Sequence, residues 1–245
     1  MPKRLNFTPD RLHIAMFAKL LEGFAPIDWI ALVIFFAGWL TYGYYADHRA
    51  RGASGLRGAT DRYRIAWGRQ MAHRENRIVD SSLIGNLVQS VSFYASTTTY
   101  VIAGLIAVAG TVDRLMVVTA ELPFGHAAAR EVVEVKVVML AAIFIFAYFK
   151  FTWSLRQFNY LSILIGATPG AGAPAAELEQ CAQKFSLLNT LAGDDFNRGI
   201  RAYYFGFAAG TWFVSANQFI AFTLVILIVL WRRDFHSAAL RALSD

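Results

Sequence analysis

Four long, mostly apolar intervals constrain this 245-residue chain more than any other feature. The two longest, 81–112 between Asp80 and Asp113, and 203–231, contain no charged residue at all. Because about 20 mostly apolar helical residues cross about 30 Å of hydrocarbon, we predict spans at 27–46, 81–110, 132–153 and 203–231. A charged share of 16%, against about 25% in soluble proteins, agrees with this interpretation. The expected fold is an all-α bundle of four transmembrane helices.

The segments outside the spans have helical patterns of their own. In the N-terminal arm, Thr8 can cap a helix, Pro9 fits its first turn and apolar residues follow at helical spacing. We expect this amphipathic helix to lie along the membrane interface, and packing against a neighbouring subunit is the alternative. Two cytoplasmic amphipathic helices are predicted to start near residue 60 and at Pro174. The chain is thus divided into an arm (1–25), a transmembrane domain (26–233) and a C-terminal tail (234–245).

Lysine and arginine are distributed unevenly between the two sides of the predicted bundle. Eight arginines lie in 47–80, and the four-span path puts 13 basic residues on that side and 10 on the other. Since cytoplasmic segments are enriched in Lys and Arg, we predict that 47–80 is cytoplasmic and that both termini lie outside the cytoplasm. The net charge of +6 is expected to attract anionic lipid headgroups to 47–80, and no folded basic domain is left to bind nucleic acid.

Small and polar residues recur at helical spacing along one face of the second span. This polar stripe consists of Gly85, Gln89, Ser92, Ser96 and Thr99. Such a face is hidden from lipid, either by packing against another helix or by lining a water-filled pathway. No charged ring accompanies the stripe at mid-depth, which favours packing.

The fourth predicted span carries further residues of this kind. Gly206 and Gly210 have the GxxxG spacing of helix contacts. Asn217 and Gln218 fall near the middle of 203–231, so at least one is expected to meet a polar partner, with the polar stripe as the natural one. Helix packing is again favoured over ligand binding.

Two clusters of charged residues precede spans on the predicted cytoplasmic side. They are Arg74, Glu75, Arg77 and Asp80 before the second span, and Asp195, Arg198 and Arg201 before the fourth. Arg77 can reach Asp80, which lies one turn further along the helix. The clusters can bind lipid phosphate, contact a partner or stabilise helix ends, and their shared side allows them to pair with each other.

Sequence patterns typical of catalysis are missing from the chain. It contains no GxSxG, HExxH, P-loop or GxGxxG motif. The five histidines are scattered outside the predicted spans, which argues against a transmembrane haem. The lone Cys181 lies on an apolar helical face and is expected to pack there. We therefore predict no catalytic residues, no cofactor and no metal, and expect that the protein is not an enzyme.

Two stretches of the chain are similar to a known family. RQMAHRENRIVDSSLIGNLVQSVSFYASTT (69–98) and FNRGIRAYYFGFAAGTWFV (196–214) resemble an uncharacterised family of bacterial and plant membrane proteins, domain of unknown function number 599. The likeness covers about 28–231. It implies four spans with a long first cytoplasmic loop, and it implies no activity. We expect a bacterial inner-membrane location.

Three functional hypotheses follow from these observations. The leading one is a structural or interaction protein of the membrane, which self-associates or joins a larger membrane complex. The alternative is a homo-oligomeric channel or transporter lined by the polar stripe. A membrane enzyme comes third, and a pocket that gathers Arg74, Glu75, Asp80 and Arg201 around one ligand would favour it.

Overall fold

A computed structural model describes residues 23–49, 55–121 and 129–244 of the chain, and its regular elements are helices. In chain order they are α1 (Pro26–Arg49), α2 (Leu56–His73), α3 (Ile78–Ala109), α4 (Val112–Glu121), α5 (Arg130–Ala167), α6 (Ala175–Thr211), α7 (Ala216–Phe235) and α8 (Ala238–Ser244). The predicted all-helical fold is therefore confirmed. Most of the predicted N-terminal arm, residues 1–22, lies outside the described residues.

Three helices are long and apolar enough to cross a membrane, as expected of a membrane protein. They are Pro26–Asp47, Ile78–Ala109 and Arg130–Ala167. The predicted spans at 27–46, 81–110 and 132–153 fall on these helices. The third helix is longer than predicted, because α5 continues beyond Trp153 to Ala167.

The prediction of one helix over 203–231 is wrong. Helix α6 ends at Thr211, and α7 begins at Ala216 after a short turn. The Ser215 hydroxyl caps α7 by accepting the backbone N–H of Gln218, at 3.2 Å. A single helix of that length would extend about 43 Å, well beyond a hydrocarbon layer of about 30 Å. Gln218 and its neighbour Asn217 thus lie in the first turn of α7 and not at mid-span.

Polar contacts at the two ends of the bundle fix the direction of its helices. At one end, here called the Trp212 end, the Trp212 indole donates to Asp28 at 2.6 Å and Lys136 donates to the Trp212 carbonyl at 2.8 Å. At the other, the basic end, Asp47 of α1 and Lys150 of α5 are joined to α6. The stretch of α1 from Asp28 to Asp47 is about 28 Å long. The ends are therefore about one hydrocarbon thickness apart.

The turn after Thr211 makes α6 and α7 an antiparallel pair. The Tyr42 hydroxyl of α1 donates to Asp234 of α7 at 2.6 Å, so α7 returns to the basic end. The Leu243 carbonyl accepts from Arg62 at 3.4 Å, whereas Gly23 lies against Val132 near the Trp212 end. The two described chain ends therefore lie at opposite ends of the bundle. The predicted four-span path would put these two described ends on one side, and the described helices differ from it in this respect.

Beyond the basic end, α2 and the adjoining parts of α3, α5 and α6 form a second packed layer. Trp67 of α2 contacts Phe185 of α6, with ring centroids 5.2 Å apart. Gly68 permits this approach, because a Cβ there would lie 2.8 Å from the Ala182 carbonyl oxygen. The two predicted amphipathic helices correspond to α2 and the first half of α6. The second is no separate element, since α6 continues without a break to Thr211. The predicted tail contains the end of α7 and the short helix α8.

Candidate functional sites: a charged cavity and a polar helix face

A cavity of about 410 Å³ opens at the basic end, where α1, α2, α6 and α7 converge. Arginines and aspartates from different helices line it, together with apolar side chains. The charged residues are Asp47, Arg57, Arg64, Asp194, Arg201, Arg233 and Asp234. We call it the basic-end cavity.

Ion pairs between helices shape the cavity wall. Asp47 of α1 accepts from Arg201 at 2.7 Å and from Arg198 at 2.9 Å. Arg57 of α2 pairs with Asp194 of α6. Burial raises the pKa of the Asp194 carboxyl, although the Arg57 guanidinium acts in the opposite direction. The Arg57 Nε atom is buried and has no hydrogen-bond partner. The wall is thus fixed by charge pairs that leave the Arg57 Nε–H without an acceptor.

A second network surrounds Asp195 beside the cavity. Its carboxylate binds Lys150 at 3.0 Å, Arg198 at 3.2 Å and the Gln157 amide at 2.7 Å. The structure therefore brings together the predicted Asp195, Arg198 and Arg201. Sequence reasoning missed Asp47 and Lys150 as their partners, although both lie at span ends, where charged residues reach the interface.

The other predicted cluster forms a separate site. Asp80 is fully buried and accepts from Arg74 at 2.5 Å and from the Trp67 indole at 2.7 Å. Arg77 forms no bond with Asp80 and donates instead to backbone carbonyls, including that of Thr168 at 2.7 Å. The hydrogen bonds of its guanidinium thereby connect the turn before α3 to the end of α5.

The two predicted clusters lie at the same end but do not pair among the described contacts. Glu75 is exposed beside the Asp80 site. Arg201 lines the basic-end cavity, whereas Arg74, Glu75 and Asp80 do not. The pocket that would have gathered these four residues is therefore not formed.

The polar stripe faces away from the bundle. Gly85, Gln89, Ser96 and Thr99 are exposed and Ser92 is half-buried, whereas α3 packs inward through the neighbouring face, which carries Ile84, Val91, Ala95 and Thr98. Thr99 donates to the carbonyl of its own helix at Ala95. Among the residues that the structure describes, Gln89, Ser92 and Ser96 have no side-chain hydrogen bond. Packing within one chain therefore does not cover the stripe.

The glycines of α6 differ in their surroundings. A Cβ at Gly206 would lie 3.0 Å from the Phe144 ring, and one at Gly210 would meet nothing within 4 Å. Gly206 is thus a helix contact and Gly210 is not. The tightest contact of these glycines with α5 is at Gly199, because a Cβ built there would lie 2.5 Å from Phe151. The sequence analysis did not identify this glycine. Asn217 is exposed at the Trp212 end, and no contact joins it to the stripe.

A model of the family described as "Protein of unknown function, DUF599" matches residues 30–239. The chain belongs to this family. The match confirms the resemblance drawn from the two sequence stretches, and it runs from α1 into α8, so that the basic-end cavity and the polar stripe lie within the DUF599 region. Comparison with curated proteins gave no match, and comparison with solved structures gave none either. Within the described part of this DUF599 protein, no group of three or more His, Cys, Asp or Glu side chains could hold a metal ion.

Proposed function

We propose that this protein is an interaction subunit of the membrane that self-associates through the polar stripe of α3. The observation that carries the proposal is the outward direction of the stripe. Tyr94 of α3 also lines the basic-end cavity, so the residues after it on α3, including Ser96 and Thr99, fall at hydrocarbon depth. Small and hydroxyl-bearing faces let two helices approach closely and bond across the contact, whereas lipid tails offer such groups no partner.

A second copy of the chain suits this face. Stripes on two copies can meet about a twofold axis, because such an interface is self-complementary. Gly85 leaves open space at the edge of the stripe, where a Cβ would meet nothing within 4 Å. Gln89, which lies beyond the basic end, has both a donor and an acceptor with which to bond its counterpart in the other copy.

The orientation follows from the corrected path of the helices. We infer five passes: α1, α3, α5, the last part of α6, and α7. Of the 18 lysines and arginines among the described residues, this path assigns 15 to the basic end, whereas the four-span path would assign 12 to it. The basic end is therefore cytoplasmic, together with the C-terminus, and the N-terminal side faces outward. A bacterial inner membrane is the setting that fits this charge distribution.

Cysteine cross-linking in native membranes tests the self-association. In a Cys181→Ser background, we expect Thr99→Cys to form a disulfide-linked dimer under mild oxidation. Leu40→Cys on α1 is the matched control, because Leu40 is 70% exposed and lies at similar depth. Equal cross-linking of both variants, or none in either, would contradict a contact through α3.

The alternative role, a channel lined by the stripes of several copies, predicts a different result. Liposomes that contain the parent protein would show ion flux, and Gln89→Leu would change it. A protein that cross-links through Thr99→Cys without any flux is the result that we expect.

A further inference from the structure

We propose that the basic-end cavity binds a phosphate group, either the headgroup of an anionic lipid or a free phosphate ester. The inference starts from the hydrogen-bonding capacity of the wall. Four arginines and three aspartates line the cavity, and a guanidinium has five N–H donors. The arginines have more hydrogen-bonding groups without a partner than the aspartates have.

Five of the six carboxylate oxygens already accept a hydrogen bond. Both oxygens of Asp47 accept from arginines, and the two oxygens of Asp234 accept from Arg233 and Tyr42. Asp194 accepts from Arg57. A cationic ligand would therefore have to compete with donors that these carboxylates already have.

The guanidinium groups, in contrast, keep unused donors. Arg57 has a buried Nε without a partner, and Arg64 uses one nitrogen for Asp61 at 2.8 Å. Arg233 binds Asp234 through Nε at 2.8 Å, which leaves its two terminal nitrogens without a bond to that carboxylate. Surplus donors around a cavity favour an acceptor-only ligand, and arginine forks match the geometry of phosphate.

The size and position of the cavity narrow the ligand class. A volume of about 410 Å³ accommodates a small phosphate ester or a lipid headgroup. Phe196 and Ile200 form part of the wall, so an apolar portion of the ligand can be accommodated as well. The cavity lies level with Asp47, where the apolar segment of α1 ends, and basic pockets at this depth bind lipid headgroups in other membrane proteins.

Native mass spectrometry of the delipidated, detergent-solubilised full chain tests the proposal. The probes are dioleoylphosphatidylglycerol and dioleoylglycerol, which differ only in the phosphate-bearing headgroup, and sn-glycerol 3-phosphate serves as the free phosphate ester. We expect binding of phosphatidylglycerol and not of the diacylglycerol. Binding of glycerol phosphate with similar affinity would identify a free ester as sufficient, and its failure to bind would identify the lipid as the source.

Two neighbouring arginines give a matched pair of variants. Arg233→Gln removes a cavity residue, whereas Arg232→Gln removes the same charge from an exposed position outside the cavity. Loss of a charge-assisted hydrogen bond should raise the Kd of the phosphate ligand roughly tenfold in Arg233→Gln, and Arg232→Gln should change it less than about twofold. If Arg233→Gln does not fold, Arg64→Gln replaces it as the cavity variant and is compared with Arg232→Gln. Equal loss in cavity and control variants, equal binding of the diacylglycerol, or no binding of any phosphate probe would overturn the proposal.

Discussion

The contact between Gly199 of α6 and Phe151 of α5 allows a quantitative test of the fold. An alanine Cβ at Gly199 would lie 2.5 Å from Cε1 of the Phe151 ring and 2.8 Å from two further ring atoms. The ring cannot move away freely, because Phe151 is fully buried and its centroid lies 5.4 Å from that of Tyr94 and 5.6 Å from that of Tyr203. The substitution therefore overpacks the centre of the bundle.

Two opposing contributions determine how much Gly199→Ala changes the unfolding free energy. Overpacking of a core costs about 1–3 kcal/mol, and replacing glycine by alanine within a helix gains about 1 kcal/mol. Gly210→Ala on the same helix has only the second term, since its Cβ would meet nothing within 4 Å. The difference in unfolding free energy between the two variants isolates the clash, and we expect Gly199→Ala to be the less stable by about 1–3 kcal/mol.

Equilibrium unfolding in mixed detergent micelles, followed by far-UV circular dichroism, measures this difference. Phe151→Leu should recover part of the loss in the Gly199→Ala background, because the smaller side chain makes room for the Cβ and the two positions are in direct contact. Equal stability of Gly199→Ala and Gly210→Ala would refute the described packing of α5 against α6.

Three further substitutions test the buried polar contacts. Asp80→Ala removes a fully buried carboxylate and leaves the Trp67 indole N–H and the Arg74 guanidinium without their acceptor. Chemical unfolding should show a loss of about 2–4 kcal/mol, against about 0.5 kcal/mol or less for the exposed Glu75→Gln. Asp28→Ala removes the acceptor of the Trp212 indole and should lower the unfolding free energy by about 1–3 kcal/mol, with a change in tryptophan fluorescence. Since burial raises the pKa of Asp194 above 3.8, the folded state retains a proton that the unfolded state has released. The unfolding free energy should then fall as pH rises through that window, and Asp194→Asn should flatten this slope in a pH series.

Three of the four predicted spans fall on long apolar helices, because a surface that faces lipid requires a long apolar run. The spans at 27–46, 81–110 and 132–153 follow from this requirement alone. The turn between α6 and α7 was missed because Trp212, Phe213 and Val214 are as apolar as the helices around them. One sequence feature could have revealed it: Ser215 with Gln218 three residues later has the spacing of a capping box.

The candidate sites were predictable only where their residues are close in sequence. Each charged cluster was identified on its own segment, but the assumed pairing of Arg77 with Asp80 was wrong because backbone carbonyls of Thr168 and Pro169, at the end of α5, compete for the guanidinium. The partners of Arg57 and Arg201 lie on other helices, in distant parts of the sequence. Helical periodicity has no information about such contacts.

The central position of α6 explains why hydropathy alone did not separate its last part from α7. Between Arg201 and the turn at Trp212, its uncharged segment extends only about 16 Å, too short to cross a bilayer by itself. Most of that segment is covered by other helices, and Phe207 is its one large side chain with a mostly exposed surface among those described. A helix that barely touches lipid needs no long apolar run, because protein atoms surround it and charged residues at its end pair with Asp47. The apolar length that indicates a span in a sequence therefore reports contact with lipid, and a helix segment that is buried among other helices, such as the end of α6, is identified only through its packing partners.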